Sequence, residues 1–159
     1  MSIYQLLLIP LFAFCFSVLD TSFFAFYETM GSTVISSFLI LMLLCIFDKK
    51  QISIYYGAFC ILFLSAFSSL PLYSMIIGYL GIPLLFVYVR QKFYFESSIL
   101  PAVVVMLISC FLFRLLLLPI SDFSSENMFL SIIIFPLINT LFGMVLFTIS
   151  KKLLFNKKY

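Results

Sequence analysis

Histidine and tryptophan are absent from this chain, and charged side chains make up only 9% of its 159 residues. Without histidine the commonest general base and the commonest metal ligand are gone, and without tryptophan so is the strongest interfacial anchor. So few charges leave too little polar surface to cover a water-soluble globule. The four cysteines, Cys15, Cys45, Cys60 and Cys110, lie singly in apolar runs with no CxxC spacing. They read as small buried hydrophobes, not as metal ligands or a disulfide framework. No Lys or Arg precedes the first apolar run and no small-residue cleavage pattern follows it, so the first helix is expected to be retained.

What is present is apolar: 65% hydrophobic residues, mean hydropathy +1.28, and 22 Phe with 9 Tyr for aromatic packing. A hydrocarbon core about 30 Å thick takes roughly 20 helical residues to cross, and backbone groups there must be satisfied internally. The apolar blocks therefore predict an all-α integral membrane protein, a bundle of six transmembrane helices forming one domain over residues 1–159. The spans are placed at Ile3 to Leu19, Ser32 to Phe47, Ile52 to Ser68, Leu72 to Val89, Ser98 to Leu118 and Phe129 to Ser150, with a basic tail over 151–159. The tight break at Asp48-Lys49-Lys50-Gln51 and the uncharged one at Ser68-Ser69-Leu70-Pro71 are the weakest divisions.

Charge placement orients this bundle. Lys49 and Lys50, then Arg90 and Lys92, then Lys151, Lys152, Lys157 and Lys158 all fall on one side of a six-span chain. The other side carries Asp20, Glu28, Asp122 and Glu126, with no basic residue in its loops. Basic residues collect on the cytoplasmic side, which puts both termini there. The net charge of +3 is this topological signal and calls for no nucleic-acid partner.

Polar residues within the spans are the candidate contact positions. Arg114 stands about four residues, roughly 6 Å, from the outer end of the fifth span, within snorkelling reach of the interface. It reads either as a substrate or partner contact or as a packing residue, with Asp20 at similar depth as its ion-pair partner. Asn139 needs an amide partner inside the bilayer, and carbonyls near Pro136 or Thr140 are candidates, making it interhelical glue. Gly78 and Gly81 on the fourth helix and Gly57 with Ala58 on the third are expected to mark close helix contacts. Ala13 and Ser17 form a small-xxx-small pair on the first helix that suits a partner helix. None of these residues makes a nucleophile–base pair, an acid–base pair, a phosphate loop or a zinc motif, so catalysis, cofactors and metals are not expected.

The last span, with Asn139 a little after Pro136 and Lys151-Lys152 beyond it, resembles the Asn-containing final helix and basic end of the MreD family of rod-shape-determining membrane proteins. The stretch from Ile54-Tyr55-Tyr56-Gly57 through Ser68-Ser69-Leu70 to Ile76-Ile77-Gly78, ending at Arg90, is similar to that family's Gly-containing third helix, short turn and fourth helix. Many members carry an Asp late in the third helix and a Leu-Gly at the turn, where this chain has Phe63 and Leu70-Pro71. The resemblance implies a non-catalytic subunit of the bacterial cell-elongation machinery in the inner membrane. It would bind an MreC-like bitopic protein and support a RodA-like synthase with its class B penicillin-binding protein in peptidoglycan synthesis, linked indirectly to MreB.

A rival from another class is the substrate-binding S-component of an energy-coupling-factor vitamin transporter, of similar size and helix number, to whose first-helix contact Ala13 and Ser17 look similar. Its ligand site would need convergent polar and aromatic groups, for which the outer halves offer Arg114, Asp20, Tyr27, Glu28 and Tyr73. Another small-solute transporter is the third reading, although no inverted repeat is visible.

Overall fold

The computed structural model describes residues 3–26, 32–68, 70–92, 98–118 and 125–155. Tyr27, Glu28, Asp122, Lys157 and Lys158 lie outside them. The described residues are helical, with no strand among them. Helix α1 (Ile3–Val18) runs into a π-helical turn, Leu19–Phe23, and a last short piece, Phe24–Phe26. Then come α2 (Ser36–Ile46), α3 (Lys50–Phe67), α4, α5 (Ile99–Leu117) and α6 (Ser125–Phe155). Helix α4 is built of Leu72–Ile76, a π turn Ile77–Gly81, and Ile82–Lys92.

Among the described residues, four helical segments are long and apolar enough to cross a membrane: Lys50–Phe67, Leu72–Arg90, Ile99–Leu117 and Phe129–Lys152. Their outward faces carry Leu62, Leu85, Leu100, Ile108 and Leu141 exposed, as a protein embedded in lipid requires. The two remaining apolar helices are shorter, Leu7–Phe23 and Ser36–Ile46. For the second span this differs from the sequence reading. The helix begins at Ser36, four residues later than expected, because Thr33 to Ile35 are non-helical, with Ile35 at φ −111°, ψ 84°.

That short helix is the middle of the molecule. Ser36, Ser37, Phe38, Leu39, Leu41, Met42, Leu43, Cys45 and Ile46 of α2 are all buried, and the helix packs against α1, α3, α4, α5 and α6. A helix apolar on every side belongs inside a bundle. Around it α1 pairs with α3, and α5 with α6.

Local chemistry sets the breaks. Thr21 and Ser22 turn their hydroxyls back onto the carbonyls of Ser17 and Val18, competing with the helical ladder where α1 widens into its π turn. Pro83 has no N–H to offer the carbonyl of Tyr79, four residues back, and the π turn of α4 lies just ahead of it. The α2–α3 connection closes through Asp48, whose φ of 59° is left-handed, a conformation Asp tolerates better than most side chains. There the N–H groups of Phe47, Asp48 and Lys49 return to the carbonyls of Leu43, Cys45 and Leu44. Between α3 and α4, Ser68 leaves the helix in an extended conformation and its Oγ accepts the N–H of Leu70 at 3.2 Å.

Glycine placement fixes three of the helix contacts. A Cβ on Gly57 would stand 2.7 Å from the Tyr79 carbonyl oxygen, and one on Gly78 would enter the Phe113 ring. Gly143, which no pattern in the sequence singled out, admits Met106 in the same way, its Cβ position lying 2.6 Å from the Met106 Sδ. Gly81 differs from expectation: it faces outward, and a Cβ there would meet only Ile77 of its own helix. Ala58 likewise points out of the bundle. Gly57→Ala is therefore expected to destabilise by about 1–3 kcal/mol, because the opposing atom is backbone, whereas Gly81→Ala should be neutral or slightly stabilising. Thermal melts of the two purified variants read this contrast, and equal losses would contradict the packing.

Candidate functional site

The N-terminus of α2 is held by a carboxylate from another helix. The Asp20 carboxylate accepts the backbone N–H of Ser36 at 2.7 Å and of Ser37 at 3.0 Å, together with the Ser36 hydroxyl at 2.6 Å and the Ser37 hydroxyl. Four donors fill the roughly four lone-pair positions a carboxylate offers. The first N–H groups of any helix lack intrahelical acceptors and carry the positive end of its dipole, so an anion there satisfies both needs. Asp20 can reach because the π turn at Leu19–Phe23 resets the face that α1 presents.

Asn139 completes this end of α2. Its Oδ1 accepts the N–H of Ile35 at 2.9 Å, while its Nδ2 donates to the carbonyls of Thr33 at 2.9 Å and of Phe135 at 3.0 Å. One amide on α6 thus binds the backbone of the extended entry to α2 on both sides. Phe135 adjoins Pro136, where a carbonyl partner was expected, whereas Thr33 and Ile35, on the entry to α2, are partners that the local pattern around Pro136 and Thr140 did not suggest.

The opposite end of α2 is closed by a cation. Arg90, on the last turns of α4, donates from Nη1 to the carbonyls of Cys45 at 2.7 Å and Ile46 at 2.6 Å. Asp48 lies 4.0 Å from the same guanidinium and 3.7 Å from Lys50. A carboxylate at the N-terminus and a guanidinium at the C-terminus match the macrodipole at both poles. The sequence reading assigned Arg90 to topology alone, so its capping role is an addition.

Arg114 is buried on α5, where it donates to the Ser131 hydroxyl and stands 5.5 Å from the centre of the Phe135 ring. It does not form the expected ion pair with Asp20, whose oxygens are occupied by Ser36 and Ser37. Ala13 and Ser17 are fully buried within this chain, in the α1 face turned to its own bundle, and so offer no free surface to a partner helix. Of the cysteines, Cys45, Cys60 and Cys110 are buried as expected, whereas Cys15 is exposed on the apolar exterior.

Above the cap opens a cavity of about 310 Å³ lined by Asp20, Thr21, Thr33, Tyr79, Phe67 and Phe113, among others. The Tyr79 hydroxyl lies 2.6 Å from the Ser37 hydroxyl. Its ring meets Phe38 and Phe113 edge-on at 5.9 and 5.7 Å, and Phe38 packs on Phe113 at 4.6 Å. This aromatic trio joins α2, α4 and α5, and two of its rings, Tyr79 and Phe113, line the cavity. Of the polar residues named from the sequence, the structure brings Asp20 to the cavity. Tyr73 is exposed on the outside of α4, and Asn139 and Arg114 serve the bundle nearby. Tyr79, Ser36 and Ser37 went unnoticed in the sequence, although a Ser pair ahead of an apolar run is a helix-start signal.

No protein-family model, curated protein or solved structure matches this chain.

Proposed function

We propose that this chain is a non-catalytic scaffold subunit of the MreD type in the bacterial cytoplasmic membrane, with six membrane helices and both ends of the chain in the cytoplasm. It binds an MreC-like bitopic protein through its membrane helices and supports a RodA-like synthase with a class B penicillin-binding protein, linked indirectly to MreB. The observation that carries the reading is the use made of the interior polar groups. Asn139, the residue on which the resemblance to that family chiefly rests, ties the last helix to the start of α2, and Asp20 and Arg90 close the two ends of the same helix. These groups brace the bundle, while the long helices keep apolar exteriors suited to helix partners. The orientation draws support from the clustering of Lys50, Arg90 and Lys151 near the C-terminal end of α2: Phe47 stacks on Phe147 at 5.4 Å, and Lys151 lies 5.9 Å from that same ring.

The cavity beside Asp20 favours a second reading, a solute-binding membrane subunit such as a vitamin transporter S-component. The burial of Ala13 and Ser17 weakens it, since the first-helix contact it would use is already covered. A pull-down in mild detergent from the native membrane, with mass spectrometry of bound proteins and small molecules, separates the two. Recovery of MreC-like and wall-synthesis proteins is expected. Recovery of an ATPase module or a retained vitamin instead would overturn the scaffold reading.

A further inference from the structure

We propose that the groove between α3 and α4 binds an anionic phospholipid, with the headgroup phosphate at Lys50 and part of an acyl chain laid between the two helices. The groove comes from a crossing followed by a divergence. At Gly57 the backbones meet, with no room for a Cβ against the Tyr79 carbonyl. Helix α3 packs on the Leu72–Gly81 part of α4, and the two draw apart along Ile82–Lys92, past the π turn and Pro83. Tyr79 closes the inner end, and Lys50 stands at the mouth, two helical turns from Gly57 or about 10 Å along the axis. Ile54, Leu80, Leu84 and Val87 form the walls, with Ile54 and Leu84 half exposed on the outer face of the bundle. The enclosed part is about 90 Å³, well below the roughly 300–1,000 Å³ of a solute pocket. It admits a segment of one chain, and the rest of the chain lies along the open flank.

Depth and charge name the occupant. Two of the segments long enough to span a membrane, Lys50–Phe67 and Leu72–Arg90, have an end at this mouth, which puts it at headgroup level with hydrocarbon directly beneath. Among the described residues that line the groove Lys50 alone is charged. The hydroxyls there are engaged: Ser53 donates to the Lys50 carbonyl at 2.8 Å, and Tyr79 is bonded to Ser37. Beside the mouth, among the described residues, Lys49, Lys50 and Arg90 stand against one carboxylate, Asp48, which is exposed and lies 3.7 Å from Lys50. An exposed pair of this kind is worth little, so a phosphate can share the Lys50 ammonium at small cost. Arg90 is held by the α2 carbonyls, which leaves Lys50 as the phosphate contact. The start of α3 adds to the positive field, for no side chain caps it, whereas Asp20 caps α2. Negative charge at the mouth and hydrocarbon below it is the order in which a phospholipid carries them. A zwitterionic headgroup brings its own cation against Lys50, so a net anionic one is preferred. By contrast, the groove that α3 forms with α1 and α2, lined by Phe12, Ile40, Leu44 and Tyr56 among others, has no charge in its lining to select a headgroup. The site is independent of the assembly role: a scaffold and a transport subunit would hold the same lipid.

The test titrates the full chain, in neutral detergent micelles, with phosphatidylglycerol or phosphatidylcholine of the same acyl chains and counts bound lipid by native mass spectrometry. Phosphatidylglycerol is expected to bind saturably and at least about fivefold tighter than phosphatidylcholine, and Lys50→Gln to weaken it about fivefold while leaving phosphatidylcholine nearly unchanged. Lys151→Gln removes the same charge outside the groove, and because salt at about 0.15 M screens exposed charges beyond about 8 Å, its binding stays at the wild-type level. Leu84→Trp narrows the groove and is expected to weaken both lipids. If that variant does not fold, the comparison of Lys50→Gln with Lys151→Gln carries the test. Millimolar inorganic phosphate, the headgroup anion without its chain, is expected to leave bound lipid in place. Equal affinity for the two lipids, a loss in Lys50→Gln no greater than in Lys151→Gln, wild-type binding by folded Leu84→Trp, or displacement of the lipid by phosphate would overturn the proposal.

Discussion

Asp20→Ala will cost the folded bundle at least about 3 kcal/mol, since it strips two backbone N–H groups at a buried helix start of their acceptor, at about 1–3 kcal/mol each, and leaves two buried serine hydroxyls to find new ones. Water cannot easily take over, because Ser36 is 2% exposed and Ser37 is fully buried. Asp20→Asn should fall between wild type and Ala, because one carbonyl oxygen still accepts while the amide nitrogen turns donors toward donors. The three buried thiols provide the readout: a thermal melt with a thiol-reactive dye follows exposure of Cys45, Cys60 and Cys110 as the bundle opens. An Ala variant melting together with wild type would remove the cap from any account of stability.

Asn139→Leu carries the second large effect, because its volume fits and its chemistry does not. The substitution leaves the N–H of Ile35 and the carbonyl of Thr33 without their partner at the entry to the buried helix α2. A loss of about 2–5 kcal/mol is expected. Asn139→Asp should not rescue it: the acceptor for Ile35 is kept, but a carboxylate then faces the carbonyls of Thr33 and Phe135 unless it is protonated. Hydrogen exchange localises the damage, with faster exchange across residues 32–40 expected in both variants. Protection equal to wild type there would show that the amide is dispensable.

The sequence made the helices legible and left their mutual arrangement hidden, for a physical reason. Apolar length is a local property, so the six blocks each appear as helix, and the turn at Asp48 and the break at Ser68 fall where polar residues interrupt them. The caps of α2 are not local. Asp20 meets Ser36 across 16 residues, Arg90 meets Cys45 across 45 and Asn139 meets Thr33 across 106. No periodicity encodes such pairs. Arg90 in particular sits in a basic cluster that membrane orientation accounts for by itself, which concealed its second role. Arg114 and Asp20 were joined in the sequence reading by depth alone, but equal depth does not bring two helix faces together. The glycines divide similarly: Gly57 and Gly78 lie where another helix crosses, Gly81 one turn away looks outward, and Gly143 had no companion small residue to draw attention to it.

The double capping of α2 also bears on how the chain enters the membrane. Eleven residues of α-helix extend about 16 Å, near half the hydrocarbon thickness, so α2 has neither the length nor the terminal satisfaction to rest in lipid as an independent segment. When the ribosome has completed it, Asp20 already exists upstream, but Arg90 and Asn139 do not. The innermost helix must therefore wait, sheltered by α1 or by the insertion machinery, until α4 and then α6 arrive. The bundle therefore closes around its second helix only when its last helix arrives.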